Sequence, residues 1–224
     1  MNTCFVCGKL LVDPDKDHVP PKNLFLKPRP TNLITLQSCK KSCNRDFSLD
    51  DEYFRLVVSQ GAYARSEVAR KVWNTKVVRS GRLNRNLWST FERSPALKNA
   101  IKQSLVKVEQ HSLSGLYLGT TTVAQYDQHR IRRVIEKIVR GLFTHHFPNR
   151  DIAAHEFSWV RETTELGRQL NRKWDGQNLK VIQEDTFSYN WIEENEESNV
   201  IAWDLLFYQS IHFYGWVSPL ANEA

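Results

Sequence analysis

Cys4-Phe5-Val6-Cys7-Gly8 and Cys39-Lys40-Lys41-Ser42-Cys43-Asn44, separated by a 31-residue loop, hold all four cysteines of this 224-residue chain. Each pair lets two thiolates reach one ion from a single tight turn. Two such pairs complete a closed tetrahedral sulfur shell of the kind that suits Zn²⁺. Gly8, directly after the first pair, allows the tight turn that amides facing the sulfurs require. A closed shell keeps no open coordination position, so this zinc would hold the fold and do no chemistry. The alternatives are four buried thiols or a redox pair, and zinc content on purification separates them. Four cysteines are too few for a disulfide scaffold at this length.

Inside the clasped loop lie Asp17-His18-Val19-Pro20-Pro21 and then Asn32-Leu33-Ile34-Thr35-Leu36, and the second pair runs straight into Asn44. Residues 1–60 read as a small irregular module with a Pro-rich loop, a short strand at Leu33–Leu36 and then a helix. Ser48 followed by Asp51 looks like a capping box opening that helix. An Asp-His pair at a strand end, an Asn at a strand start and a Cys-Asn at a helix start, in this order, resemble the HNH family of ββα-metal (His-Me finger) nucleases, in the form stapled by two cysteine pairs. The resemblance covers about residues 4–55.

The resemblance implies an active site. His18 would be the general base that takes a proton from the attacking water. Asp17 and Asn44 would be the protein ligands of one catalytic Mg²⁺ or Mn²⁺, and Asn32 would brace the loop and help orient the histidine. A hard cation held by one carboxylate and one amide oxygen keeps positions for water and phosphate oxygens. Zinc would then fix Asp17, His18 and Asn44 relative to one another. Two departures from the family pattern stand out. The second cysteine pair has one residue more than usual between its sulfurs, and the stretch from Asn32 to Asn44 is long, so Asn23 is the substitute for Asn32. Asp46, Asp50 and Asp51 read as residues that cap the helix and favour its dipole.

Lys22, Lys40, Lys41 and Arg45 surround this site, with Lys27 and Arg29 in the proline loop, and they suit contacts to a phosphate backbone. The charge is uneven: the net is +4 over residues 1–48, −2 over 49–61, +9 over 62–108, +2 over 109–178 and −7 over 179–224, within a total of +6. The basic stretch (Arg65, Arg70, Lys71, Lys76, Arg79, Arg82, Arg85) would extend a nucleic-acid track, with Trp73 and Trp88 as stacking or core residues. A solvated helix face is the plainer reading of it.

The rest of the chain reads as α+β. Residues 61–147 form a basic helical middle, with helices over Ala64–Trp73, from Ser94-Pro95 through Leu97, Ile101, Leu105 and Val108, and over Tyr126–Thr144. The last carries Ile131, Ile135, Ile138, Val139 and Leu142 on one face. Residues 148–224 form a C-terminal accessory region whose stretches Leu179–Trp191 and Val200–Trp216 look like two or three antiparallel strands of a small sheet with helices, divided by a turn at Glu193–Asn199. His129, His145, His146 and His155 lack acidic or cysteine neighbours at ligand spacing. No apolar run is long enough to cross a bilayer, and no secretion signal opens the chain. The expectation is a cytoplasmic, metal-dependent endonuclease acting on DNA before RNA. Small chains resembling this family also stand beside ATPase partners in anti-phage defence, which makes such a partner a possibility here. The alternative is a zinc-stabilised nucleic-acid-binding module without catalysis, and a thiol-redox protein is the third reading.

Overall fold

The computed structural model describes residues 3–77, 105–111, 117–124, 126–161, 179–193 and 199–220. It is a mixed helix-and-sheet protein. The chain divides into two compact units, Met1–Trp73 with His129–Ala224, and Asn74–Gln128. The first unit therefore joins the N-terminal finger to the C-terminal region and to most of the long helix. The smaller unit holds the hairpin of β3 (Leu105–His111) and β4 (Tyr117–Ala124), with Val108 opposite Thr121. Leu105 and Val108, expected on a helix, lie on a strand. Val106-Lys107-Val108-Glu109 alternates with period two, and the Thr-rich β4 is a β-branched partner for it. The Ser94-Pro95 helix start and Arg79, Arg82, Arg85 and Trp88 fall outside the described residues, as do residues 194–198 of the acidic turn.

In the first unit β1 (Pro14–Val19) and β2 (Ile34–Cys39) form an antiparallel hairpin, with Asp17 opposite Leu36 and His18 opposite Thr35. A single wide turn of π-helix, Lys40–Asn44, then leads into α1 (Arg45–Gly61). That turn carries Cys43 of the second cysteine pair. Asn44 already has helical dihedrals, so α1 begins ahead of the expected Ser48 cap. The Ser48 hydroxyl instead donates back to the Arg45 carbonyl at 2.8 Å. α2 (Glu67–Val72) follows, capped by the Ser66 side chain, which accepts from the Ala69 amide at 3.2 Å. It is shorter than the expected helix.

α3 (Gln128–His146) carries the expected apolar face, and Ile131, Ile135, Ile138, Val139 and Leu142 are all buried. Each such side chain contributes about 1.5–3 kcal/mol by leaving water. The C-terminal region supplies β5 (His155–Arg161), β6 (Lys180–Gln183), β7 (Phe187–Glu193), β8 (Ile201–Phe207) and β9 (Ile211–Pro219). They form one antiparallel sheet in the order β5-β9-β8-β7-β6, larger than the two or three strands expected. α1 and α3 both pack against this sheet. Phe54 of α1 sits 5.2 Å from Phe207 and 5.9 Å from Phe213, while Val139 of α3 fills the space over Gly215. On its other side α3 meets the finger, where Gly141 lies so close to Val19 of β1 that a methyl group there would collide with the valine. The Tyr208 hydroxyl, in the β8–β9 turn, donates to the Leu24 carbonyl at 2.9 Å and ties the finger loop to the sheet.

Candidate metal centre and the Asp17-His18 strand

The hairpin and the π turn bring the four cysteine sulfurs within 4.8 Å of one another. Zn–S bonds of roughly 2.3 Å set tetrahedral S···S edges of roughly 3.8 Å, and Cys7 Sγ lies 3.8 Å from Cys39 Sγ. These four cysteines are positioned to bind a metal ion, consistent with structural zinc. The Gly8 amide closes the first knuckle on the Cys4 carbonyl at 2.8 Å with Gly8 at φ +70°, a conformation glycine adopts without strain. The Cys39 amide donates to Cys4 Sγ at 3.4 Å. Burial alone would raise the Cys4 thiol, but the amides of Cys7, Cys39 and Val6 hold it below its ordinary value. Burial pushes the Cys39 and Cys43 thiols up, and the neighbouring Cys4 and Cys7 push them further. Four thiolates this close repel one another, and a bound cation relieves that repulsion. A cavity of about 350 Å³ opens beside Cys7 and Cys43, with Arg133, Lys137 and Arg140 of α3 in its lining. A tetrathiolate zinc would keep a net negative charge, and of these cations Arg140 lies near enough to Cys7 to be influenced by it.

β1 alternates its side chains, so Asp15, Asp17 and Val19 share the inner face and Lys16 and His18 the outer one. Asp17 and Val19 are buried; His18 is half-buried. Asn44, at the mouth of α1, turns its Nδ2 to Asp15 Oδ2 at 2.8 Å. Asp17 Oδ1 accepts the His18 amide at 2.8 Å. Its Oδ2 lies 3.0 Å from Lys137 Nζ, an ion pair whose angles fall short of a hydrogen bond. Lys137 also donates to Asp51 Oδ2 and Oδ1 at 2.8 and 3.1 Å. Burial raises the Asp51 carboxyl to about 6 in spite of that ammonium. Asp50 is clamped by Arg130 Nε and Arg133 Nη1, each at 2.9 Å. Asp50 and Asp51, expected to serve the dipole of their own helix, thus dock α3 onto it. Asp46 alone of the three stands in the first turn.

His18 is held below its ordinary value first by burial and then by the positive charges of Lys22, Arg29 and Lys137, against the pull of Asp17. Its imidazole is therefore neutral near neutral pH, the form that can accept a proton. Lys22, Lys40, Lys41 and Arg45 are all exposed. Asn32, expected beside the histidine, instead donates to the Val181 carbonyl of β6 at 3.3 Å. Asn23 donates to Glu52 on α1 at 3.1 Å. These bonds tie the loop to β6 and to α1. His146 packs on Trp191, ring centres 4.1 Å apart, and shares a 2.9 Å hydrogen bond with the Tyr189 hydroxyl. Among the described residues the cysteines are the only group of three or more His, Cys, Asp or Glu side chains that could hold a metal.

The structure thus brings Asp15, Asp17, Asn44, Asp51 and Lys137 to one face of the hairpin, with His18 across the same strand. Asp15 and Lys137 escape a reading of the sequence alone. Lys137 had one signal: it stands between Val134 and Gly141 at helical spacing, inside the stripe that faces the finger. The chain matches no family model, no curated protein and no solved structure. No described helix is long and apolar enough to cross a membrane.

Proposed function

We propose that the protein is a metal-dependent endonuclease that hydrolyses phosphodiester bonds of nucleic acid at the Asp17-His18 end of β1. The observation that carries this reading is the Asn44–Asp15 hydrogen bond of 2.8 Å, which joins the start of α1 to the acidic face of β1. It supports the arrangement that the resemblance to HNH nucleases requires, an amide oxygen and carboxylates next to an Asp-His pair. The donors are hard oxygens of the kind Mg²⁺ and Mn²⁺ take. Asp17 and Asp51 share the Lys137 ammonium, and Asp15 holds Asn44. Asp17 Oδ2 is buried 3.0 Å from the Lys137 ammonium, so an ion held there would share that oxygen with it. Asp17 and Asn44 would hold the ion, with Asp15 orienting the amide. When bound, such an ion would stabilise charge on the scissile phosphate and the leaving oxygen.

The chain's own residues supply the rest. β1 belongs to a two-stranded hairpin, so its outer edge pairs with no strand among the described residues. Asp17 lies on the buried face of β1 and His18 on the outer one, so a phosphate would reach both only across that edge. The neutral His18 ring takes the proton of the attacking water, a contribution of about 10²–10⁴-fold. Exposed Lys22, Lys40, Lys41 and Arg45 hold the flanking phosphates without reading sequence. DNA is favoured over RNA because most of the nucleases the finger resembles cut DNA. A role in anti-phage defence beside an ATPase partner belongs to the same reading, as does a cytoplasmic location.

The test compares plasmid DNA, RNA and tRNA as substrates of the purified protein with Mg²⁺ or Mn²⁺. His18→Ala abolishes cleavage while zinc content and melting temperature stay at the wild-type values; equal cleavage by the variant removes the general-base role. One observation favours the non-catalytic zinc-stabilised binding module instead. The Asp17 carboxylate already faces an ammonium, as it would if its task were structural. Nucleic-acid binding without cleavage under either metal is the outcome that selects this second reading.

A further inference from the structure

Lys137 is 1% exposed and makes its closest polar contacts with two carboxylates on different elements, Asp17 of β1 and Asp51 of α1. Its ammonium also lies 5.2 Å from the Phe47 ring centre. A buried lysine is costly unless paired, and an apolar residue of similar size often serves stability as well or better. Its neighbours one turn away are Val134 and Gly141 on one side and Arg133 and Arg140 on the other, and of the three cations only Lys137 is fully buried. Packing alone therefore does not account for an ammonium here.

We propose that Lys137 is a positioning residue of the hydrolytic site, and this rests on the nuclease reading above. Two groups set the orientation of the Asp17 carboxylate: the His18 amide on Oδ1 at 2.8 Å and the Lys137 ammonium at 3.0 Å from Oδ2. Lys137 thus fixes the carboxylate whose other oxygen holds the backbone of the proposed base. Its second grip, on Asp51, ties that strand to the helix that begins beside Asn44. One side chain from α3, far along the chain, sets β1 and α1 relative to each other. Lys137 itself is too deeply buried to touch a phosphate, so it acts through Asp17. Displacing a reacting group by about 1 Å can cost about 10²-fold in rate, which makes such a tether consequential.

The experiment uses the full chain and three readouts: cleavage rate, melting temperature with zinc content, and hydrogen exchange of the His18 amide. Lys137→Met strands two buried carboxylates, so it lowers both the melting temperature and the cleavage rate. The double variant Lys137→Met with Asp51→Asn removes one of those stranded charges. It recovers part of the lost melting temperature and keeps its zinc, but cleavage stays down by about 10²-fold and the His18 amide exchanges faster than in wild type. Cleavage that returns together with the melting temperature overturns the positioning role and leaves Lys137 a structural cation. Unchanged His18 exchange in the double variant overturns it as well, whatever the activity. A wild type that cleaves no nucleic acid sinks the nuclease reading itself, and the exchange readout still reports whether Lys137 orders the strand.

Discussion

The finger and the five-stranded sheet are built on opposite principles within one compact unit. The finger buries few large apolar side chains, chiefly Phe5, Val19, Leu24, Phe25 and Ile34, and gathers its cysteines and its buried charges instead. The sheet buries Trp203, Tyr189, Phe187, Phe207 and Phe213 against one another and against α1 and α3. A module too small for a self-sufficient core needs a staple, whereas a sheet with helices on its face does not. The contrast also shows where precision is spent. Metal and ion pairs fix a few polar atoms at defined distances; aromatic packing fixes volume and tolerates more.

The largest expected effect breaks the finger alone. Structural zinc contributes on the order of 10–16 kcal/mol of apparent binding free energy in small modules. Stripping the metal with a chelator, or changing Cys43 to Ser, therefore removes amide-exchange protection from β1 and β2 while β7, β8 and β9 keep theirs. A hairpin that stays protected after the metal is gone would show that packing, not zinc, holds it.

A smaller effect tests the other side of the contrast. Leu142 is fully buried on α3, and Leu142→Ala costs about 2–5 kcal/mol through lost burial and the cavity left behind. Urea denaturation measures it. Zinc content stays at the wild-type level, because the cysteines lie on the N-terminal knuckle, the end of β2 and the π turn and not on α3.

The smallest effects are in pH, and they run in opposite directions in the two regions. Asp51 is raised from 3.8 to about 6, so the folded state holds its proton more tightly than the unfolded one. Its contribution to stability is present below the unfolded value and is lost as pH rises through about 6. His146 is lowered from 6.5 to about 4, by burial first and then by His145 and Lys180. The unfolded state takes up that proton first, so stability falls as pH drops from 6.5 towards 4. Melting curves across this window show the acid-side loss diminished in His146→Phe, and Asp51→Asn loses the decline on the rising side. Superimposable profiles for wild type and both variants would remove the distinction.

Several of these features were legible residue by residue. Cys4, Cys7, Cys39 and Cys43 announce one metal centre because chelating pairs are local in sequence and their chemistry is specific. The apolar stripe of α3 was equally plain, since a long amphipathic helix repeats its signal over many turns. Leu105 and Val108 misled because a short apolar run fits a helix and a strand alike, and the pairing with β4 decided it. Asp50 and Asp51 read as dipole residues of α1, yet their partners Arg130, Arg133 and Lys137 stand on another helix.

By itself the sequence determined the cysteine cluster, the Asp-His pair followed by Asn44, and the buried face of α3. Each cysteine pair, the Asp-His pair and the helical stripe depend on short-range spacing, and the metal chemistry of thiolates predicts that the two cysteine pairs meet. Only the tertiary structure decided that Asp15 meets Asn44, that Asn32 serves β6, and that Lys137 closes the acidic face of β1. Each joins elements separated in sequence, through the folding of the finger, its contact with β6 and the packing of α3 on it, which no local pattern encodes.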